Sequence, residues 1–438
     1  TYLLYFMMQN LFITIFLILL SFHNSYANII RDSEIEETID LVTNPLKKNS
    51  GLQDLKIFII NDENPNAFTL GGKIVFIHSG LITKFPDPDV LRGVVAHEIG
   101  HIIGQHISRR QETIDNYTLL AMGSAAIGLV TAIGTGSPGL AIMIAGNHVA
   151  ERSVQAYSRV FESSADQMAL NLLEKSHHSS IGMIKFFEQT QMNFKSNLIN
   201  RYDQTHPLSH DRLLILKNHN KKSKFSKSQN SKDLLYKFHR SSVKLAAYTT
   251  EFNKLPDCDD NKENLDEFTN YMKAIKFFRT SSFDNALNHV NKLLMKHPKD
   301  PYYHELKAQI LFEAGKNAAL TEYNIACEIR KNDPLMLLSR AIVGISIYSN
   351  EPSKLTPFYN DLLFVIEKEP NNLLALYYMA IYYEKKGLKA KSYLNSAIIA
   401  HKSGNRENAK NLAAKALKEL NDKSPDWYKA KDIIAANT

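Results

Sequence analysis

The feature that most limits what this chain can be is the run Val94-Val95-Ala96-His97-Glu98-Ile99-Gly100-His101. It reads His-Glu-x-x-His. Residues four apart share one face of a helix, so His97 and His101 offer two imidazole nitrogens to one metal ion. Glu98 beside them is placed to take a proton from a water that the ion activates. Neutral imidazole suits Zn²⁺, and a catalytic zinc keeps one position open. The flanks favour a helix. Asp87-Pro88-Asp89 supplies an N-cap and a proline at the first helical position, and Val90, Leu91, Val94, Val95, Ile102 and Ile103 form a broad apolar face. The pattern predicts a helix from Pro88 to about Arg110.

A two-histidine zinc site needs a third protein ligand. The stretch Tyr157-Ser158-Arg159-Val160-Phe161-Glu162-Ser163-Ser164-Ala165-Asp166 opens a predicted helix that continues through Met168, Leu170, Leu172 and Leu173. Glu162 is the candidate ligand. Asp166, one turn further on the same face, can accept the second N–H of a ligating histidine, fixing its tautomer and raising its basicity. Downstream, Pro207 puts His206 on a loop. Such a histidine can reach a metal, hydrogen-bond an oxyanion, or lie at the surface. Arg212 can bind a carboxylate or a carbonyl oxygen. His106, His148, His177, His178 and His210 have no comparable partners and read as structural or surface residues.

At 438 residues the chain is expected to hold two or three domains. Its net charge of +7 gathers largely in one linker, which argues against a nucleic-acid partner. Cys258 and Cys327 form no C-x-x-C motif, so cysteine does not build the metal site; whether the two pair is left open. Leu11 to Phe22 is apolar and Ser25-Tyr26-Ala27 follows, which reads as a signal peptide over residues 1–27 and hence export, with an uncleaved anchor as the alternative. The apolar stretch 118–145 is short for membrane spans. It reads as a buried helical hairpin or a lid, against peripheral membrane contact or a surface for unfolded substrate.

A first helix is expected from Arg31 to near Pro45 and a strand over Leu55 to Ile60. Asn66 to Leu70 and Lys73 to Ile77 read as a hairpin joined at Gly71-Gly72. Its outer strand is either an edge that holds extended substrate as one more strand or ordinary sheet. Lys217 to Lys232, rich in Lys, Ser and Asn, is expected to be a flexible loop. From Leu265 the chain is helical, with Pro298, Pro334 and Pro370 spaced by 36 residues. That spacing is close to the ~34 of tetratricopeptide repeats, which stack into arrays with a concave groove.

These pieces together resemble the beta-barrel assembly-enhancing protease family, exported HtpX-like and prenyl-protease-like zinc metallopeptidases. The resemblance rests on Arg31-Asp32 with Glu34, Asn66-Ala67-Phe68, His97-Glu98-Ile99-Gly100-His101, Tyr157-Ser158-Arg159 with Glu162 and Ala165-Asp166, and His206-Pro207-Leu208 with Arg212. With the repeats it spans nearly the whole chain. Ser163-Ser164 is less charged than the family's usual stretch, and the Lys-rich segment after Arg212 resembles an insertion.

The implied fold is α+β: a mainly helical, zincin-like metalloprotease domain with a small β-sheet over residues 28–250, followed by an all-α tetratricopeptide-repeat array over 265–438. The implied ligands of one Zn²⁺ per chain are His97, His101 and Glu162, with Glu98 as general base. The resemblance also implies that His206 can occupy the open position and hold the enzyme latent, and that Arg212 assists near the reacting carbonyl. The implied setting is the periplasm of a Gram-negative cell. The implied partners are unfolded or misassembled polypeptides and the outer-membrane protein assembly machinery. The rival readings are an assembly scaffold that works through its repeats, and a membrane-embedded protease with residues 118–145 in the bilayer.

Overall fold

A computed structural model describes residues 29–106, 159–193, 206, 210–251 and 266–437. The expected signal segment 1–27, the apolar stretch 118–145 and Cys258 lie outside them. The sheet holds β1 (Ile29–Ile30), β2 (Lys56–Ile60), β3 (Ala67–Thr69) and β4 (Ile74–His78) in the order β1-β2-β4-β3. β2 and β4 run parallel, with Lys56 opposite Ile74. β3 folds back antiparallel on β4, with Phe68 opposite Phe76. Gly71 (φ 93°) and Gly72 (φ 66°) supply the left-handed turn between them. β3 is thus an edge strand.

Helix α1 (Ser33–Ser50) starts at Asp32, whose carboxylate accepts from the amides of Glu34 and Ile35. It does not end near Pro45, as the sequence led us to expect, but carries that proline inside. The lost backbone bond is outweighed by burial of Val42 and Leu46, both 0% exposed, on one face. The helix stops at Gly51 (φ 74°), whose N–H bonds the carbonyls of Lys47 and Lys48.

A short α2 (Ser79–Lys84) leads to α3 (Pro88–Ile103), capped by Asp87 with Pro88 in its first turn. α3 is the centre of the domain. It packs on α1, on β3 and β4, and on α4 (Arg159–Lys175) and α5 (Ile181–Asn193), and nearly every residue from Pro88 to His101 is buried. Gly100 permits a close approach of α4: a Cβ there would lie 2.6 Å from the carbonyl oxygen of Ala165. The α3–α4 crossing therefore depends on that glycine. α3 ends seven residues before Arg110, because Gly104 closes its last turn and Gln105 (φ 51°) reverses the chain.

Helices α6 (His210–Lys222) and α7 (Lys232–Thr249) follow. The Lys-rich segment is not a loop throughout. Residues 217–222 finish α6, and Ser231 caps α7. Between them, Ser228 Oγ accepts from the amide of Ser179 (2.9 Å) and Asn230 Oδ1 accepts from Arg92 (3.0 Å). Arg92 is 1% exposed, and a buried guanidinium requires such acceptors.

α7 belongs to two cores. Phe238 and Leu245 join the core built around α1 and α3. Ala247 joins Tyr271, Ala274 and Leu293 in the core that follows. The helices beyond come as sequential pairs: α8 (Glu267–Arg279) with α9 (Phe283–Lys296), α10 (Pro301–Glu313) with α11 (Ala319–Ile329), α12 (Pro334–Ile347) with α13 (Thr356–Lys368), α14 (Leu373–Lys385) with α15 (Lys389–Lys402), and α16 (Arg406–Leu417) with α17 (Pro425–Ala436). Pro298, Pro334 and Pro370 each fall at the entry to the first helix of a pair, beside the N-caps Asp300, Asp333 and Asn372.

The start of α1 is keyed into this helical region by charge. Glu34 Oε2 accepts from the Tyr271 hydroxyl (2.6 Å), and Glu34 Oε1 pairs with Arg240 (2.6 Å). Arg31 pairs with Glu369 (2.6 Å), and the Ser33 hydroxyl donates to Asp333 (2.7 Å). Glu305 on α10 is buried nearby, and among the described residues nothing hydrogen-bonds its Oε2. Burial, against the pull of Lys244, pushes its carboxyl up to about 8. The folded state thus keeps a proton that the unfolded chain loses near its ordinary 4.5, so this residue erodes stability as pH rises from about 4.5 to 8. Glu305→Gln is expected to melt higher than wild type at pH 8, with the gap closing near pH 4.5. Thermal melts across that range check it, and a variant that melts lower at pH 8 contradicts it.

Candidate metal centre

Three segments, α3 among them, meet at one buried point. α3 presents His97 and His101 one turn apart, α4 brings Glu162 over them through the Gly100–Ala165 crossing, and His206 enters from beyond. All four are buried, and their candidate donor atoms lie within 4.8 Å of one another. His97 Nε2 is 3.1 Å from His101 Nε2, 3.3 Å from Glu162 Oε2 and 3.3 Å from His206 Nδ1. Glu162 Oε1 is 3.3 Å from His101 Nε2 and 3.2 Å from His206 Nδ1. Zinc–nitrogen bonds of about 2.0–2.1 Å put tetrahedral vertices about 3.3 Å apart, so the spacing fits a four-coordinate ion.

The chemistry of the donors points the same way. His97 Nδ1 lies 2.9 Å from Asp166 Oδ1, so in the neutral ring its proton sits there and Nε2 is bare. A bare nitrogen facing a second imidazole and a carboxylate in a buried pocket calls for a cation. Burial pulls His97 down, but its bonds to Asp166 and Glu162 push it up to about 10. Burial and the nearby His97 push His101 down to about 3, against its bond to Glu162, so it stays neutral. Glu162 is held well below the carboxylate range by the three histidines despite its burial.

Asp166 is itself fixed. Arg212 donates to it from Nε (2.6 Å to Oδ2) and Nη2 (2.9 Å to Oδ1), and its Nη1 reaches Glu162 Oε2 at 3.0 Å. The Phe187 ring lies 4.8 Å below the guanidinium. Arg212 thus spends its donors on the two carboxylates behind the histidines. Glu98 sits on the other side. Both of its oxygens are buried without a side-chain hydrogen bond among the described residues, its carboxyl is raised by burial, and Oε1 is 3.5 Å from His206 Nε2. His206 therefore lies between the donor cluster and Glu98.

Every residue that the sequence singled out for the centre is in one cluster. His106, read from the sequence as structural or surface and without a comparable partner, is buried at 1% exposure, with Nδ1 3.0 Å from His101 Nδ1. A spacing of five from His101 gives no helical signal, and only the Gly104 directly after the helix hints at a reversal.

Known metallopeptidases resemble this chain. Residues 30–220 match the model of peptidase family M48. The beta-barrel assembly-enhancing protease of Yersinia pestis is 23% identical over 361 residues, covering 79% of this chain and 72% of that protein. That of Escherichia coli (strain K12) is 24% identical over 306 residues, 66% of this chain and 60% of its own length. Metalloprotease LoiP of Escherichia coli is 24% identical over 182 residues, 41% of this chain and 69% of LoiP.

Proposed function

Since this chain is a metalloprotease that carries a peptidase family M48 domain, we propose that it is a zinc endopeptidase of the Gram-negative periplasm, acting on misfolded or stalled outer-membrane proteins and held latent by His206. The observation that carries the latency is the place of His206, with Nδ1 at a fourth vertex beside Glu162 (3.2 Å) and Nε2 toward Glu98 (3.5 Å). The donor set supports His97, His101 and Glu162 as ligands.

When bound, zinc supplies the Lewis acidity that activates a water and polarises a peptide carbonyl. Glu98 takes the proton of that water and hands it to the leaving amine. Asp166 orients His97, and Arg212 holds Asp166 and Glu162 in place. β3 packs on α3 at the edge of the sheet, which suits an extended substrate added as a further strand. The helix pairs with their Pro-marked entries support the tetratricopeptide-repeat reading, and with it capture of unfolded polypeptide and contact with the assembly machinery. The names of the Yersinia and Escherichia relatives support the outer-membrane setting. Among the described residues no helix is long and apolar enough to cross a membrane.

His206→Ala is expected to retain zinc and to cleave an unfolded test protein about tenfold faster than wild type, since one competitor for the open position is removed. Cleavage rates beside metal analysis check this. A variant that holds zinc and cuts no faster refutes the latch.

A further inference from the structure

The two histidines of α3 are held in different ways. His97 leans on a carboxylate, Asp166. His101 leans on another imidazole: its Nδ1 is 3.0 Å from His106 Nδ1, with ring centroids 5.1 Å apart at 81°. A histidine that ligates through Nε2 must carry its proton on Nδ1. His101 is then the donor and His106 Nδ1 the acceptor, and the proton of the His106 ring is on Nε2.

The local backbone is built to put His106 there. α3 stops at Ile103, Gln105 takes a left-handed conformation (φ 51°) that non-glycine residues seldom adopt, and the chain folds under its own last turn. Gly104 leaves the room, since a Cβ there would fall 2.3 Å from His106 Nε2. On its other side the ring stacks on Phe161 at 4.9 Å and 28°, the residue before Glu162. The ring that supports one candidate ligand is therefore packed against the neighbour of another.

We propose that His106 is a positioning residue of the metal centre: it accepts the Nδ1–H of His101 and so fixes the tautomer and ring plane of that ligand, as Asp166 does for His97. This rests on the metal-centre reading above. Outer partners of ligating histidines typically govern metal affinity by 10–100-fold. A neutral acceptor opposite a carboxylate acceptor also makes the two histidines unequal donors.

The test uses the full chain as wild type, His106→Phe and His106→Asn, stripped of metal and titrated with Zn²⁺ against a chromophoric chelator, with Co²⁺ absorption spectra alongside. Phenylalanine keeps the ring stacked on Phe161 but cannot accept. Asparagine can present Oδ1 close to where Nδ1 lies. The phenylalanine variant is expected to bind Zn²⁺ 10–100-fold more weakly, with a changed Co²⁺ spectrum, while its metal-free melting stays near wild type. The asparagine variant is expected to stay within a few-fold of wild type and to keep its spectrum. Wild-type affinity in the phenylalanine variant, or equal losses in both, overturns the proposal. Should phenylalanine prevent folding, the asparagine variant decides alone, and a loss of tenfold or more overturns it. A wild-type chain that binds neither metal overturns the centre itself, and the role of His106 with it.

Discussion

Replacing Glu98 with glutamine is expected to lower peptide-bond cleavage by about a thousandfold while leaving fold and metal content unchanged. Glu98 is the one carboxylate of the cluster that is neither a metal-ligand candidate nor bonded to Arg212, and it faces His206 Nε2 at 3.5 Å. Both oxygens are buried, and among the described residues no side chain hydrogen-bonds them. Burying an ionisable group without partners is costly, so its presence there is explained by chemistry and not by packing. A positioned general base contributes about 10²–10⁴-fold. Glutamine has the same shape and cannot take the proton. Because glutamine keeps the shape and removes a buried ionisable group whose carboxyl is raised by burial, melting should stay level or rise slightly. The comparison is best made in the His206→Ala background, where cleavage is fastest. Activity within tenfold of that parent would remove Glu98 from the reaction, and loss of metal along with activity would show that the substitution had disturbed the ligands instead.

The second large effect is on stability. Arg240→Ala is expected to destabilise the chain by about 3–5 kcal/mol, the usual cost of stripping one partner from a buried ion pair. Arg240 on α7 is 5% exposed and meets Glu34 at 2.6 Å and Asp300 at 2.5 and 2.8 Å. Its guanidinium also lies 4.2 Å from the Tyr303 ring centroid. Alanine would leave Glu34, which is 4% exposed, with less of the positive charge that offsets its burial. Lys244, 3.3 Å away, covers only part of that loss. Urea unfolding of wild type and variant reads the difference. A loss below 1 kcal/mol would mean that this junction behaves like an exposed ion pair, worth about 0–1 kcal/mol.

Much of the centre was legible because its signals are local. Histidines four apart on a helix with an Asp87 cap, and an acid pair four apart at Glu162 and Asp166, need only helical geometry to be read. The hairpin at Gly71-Gly72 follows from the conformations that glycine alone adopts freely. What stayed hidden depends on distant partners or on a single backbone reversal. Pro45 reads as a stop unless the burial of Leu46 is known. The Lys-rich segment reads as free chain unless Ser179 and the buried Arg92 are known to need its side chains. Arg212 carries no mark that its donors go to Asp166 and Glu162, and Glu34 none that it meets Tyr271. His106 sits off the helical period, and only the left-handed turn at Gln105 carries it back to His101.

Helix α7 makes the two cores answer to one element. Phe238 and Leu245 close the first core along α1 and α2, where Ser242 bonds the carbonyl of Ile82. The wall that closes this core is also the first wall of the next, since Ala247 on the same helix packs with Tyr271 and Ala274. A substitution that loosens α7 therefore strains both cores together, and the metal-bearing region and the first helix pair are coupled through a shared wall.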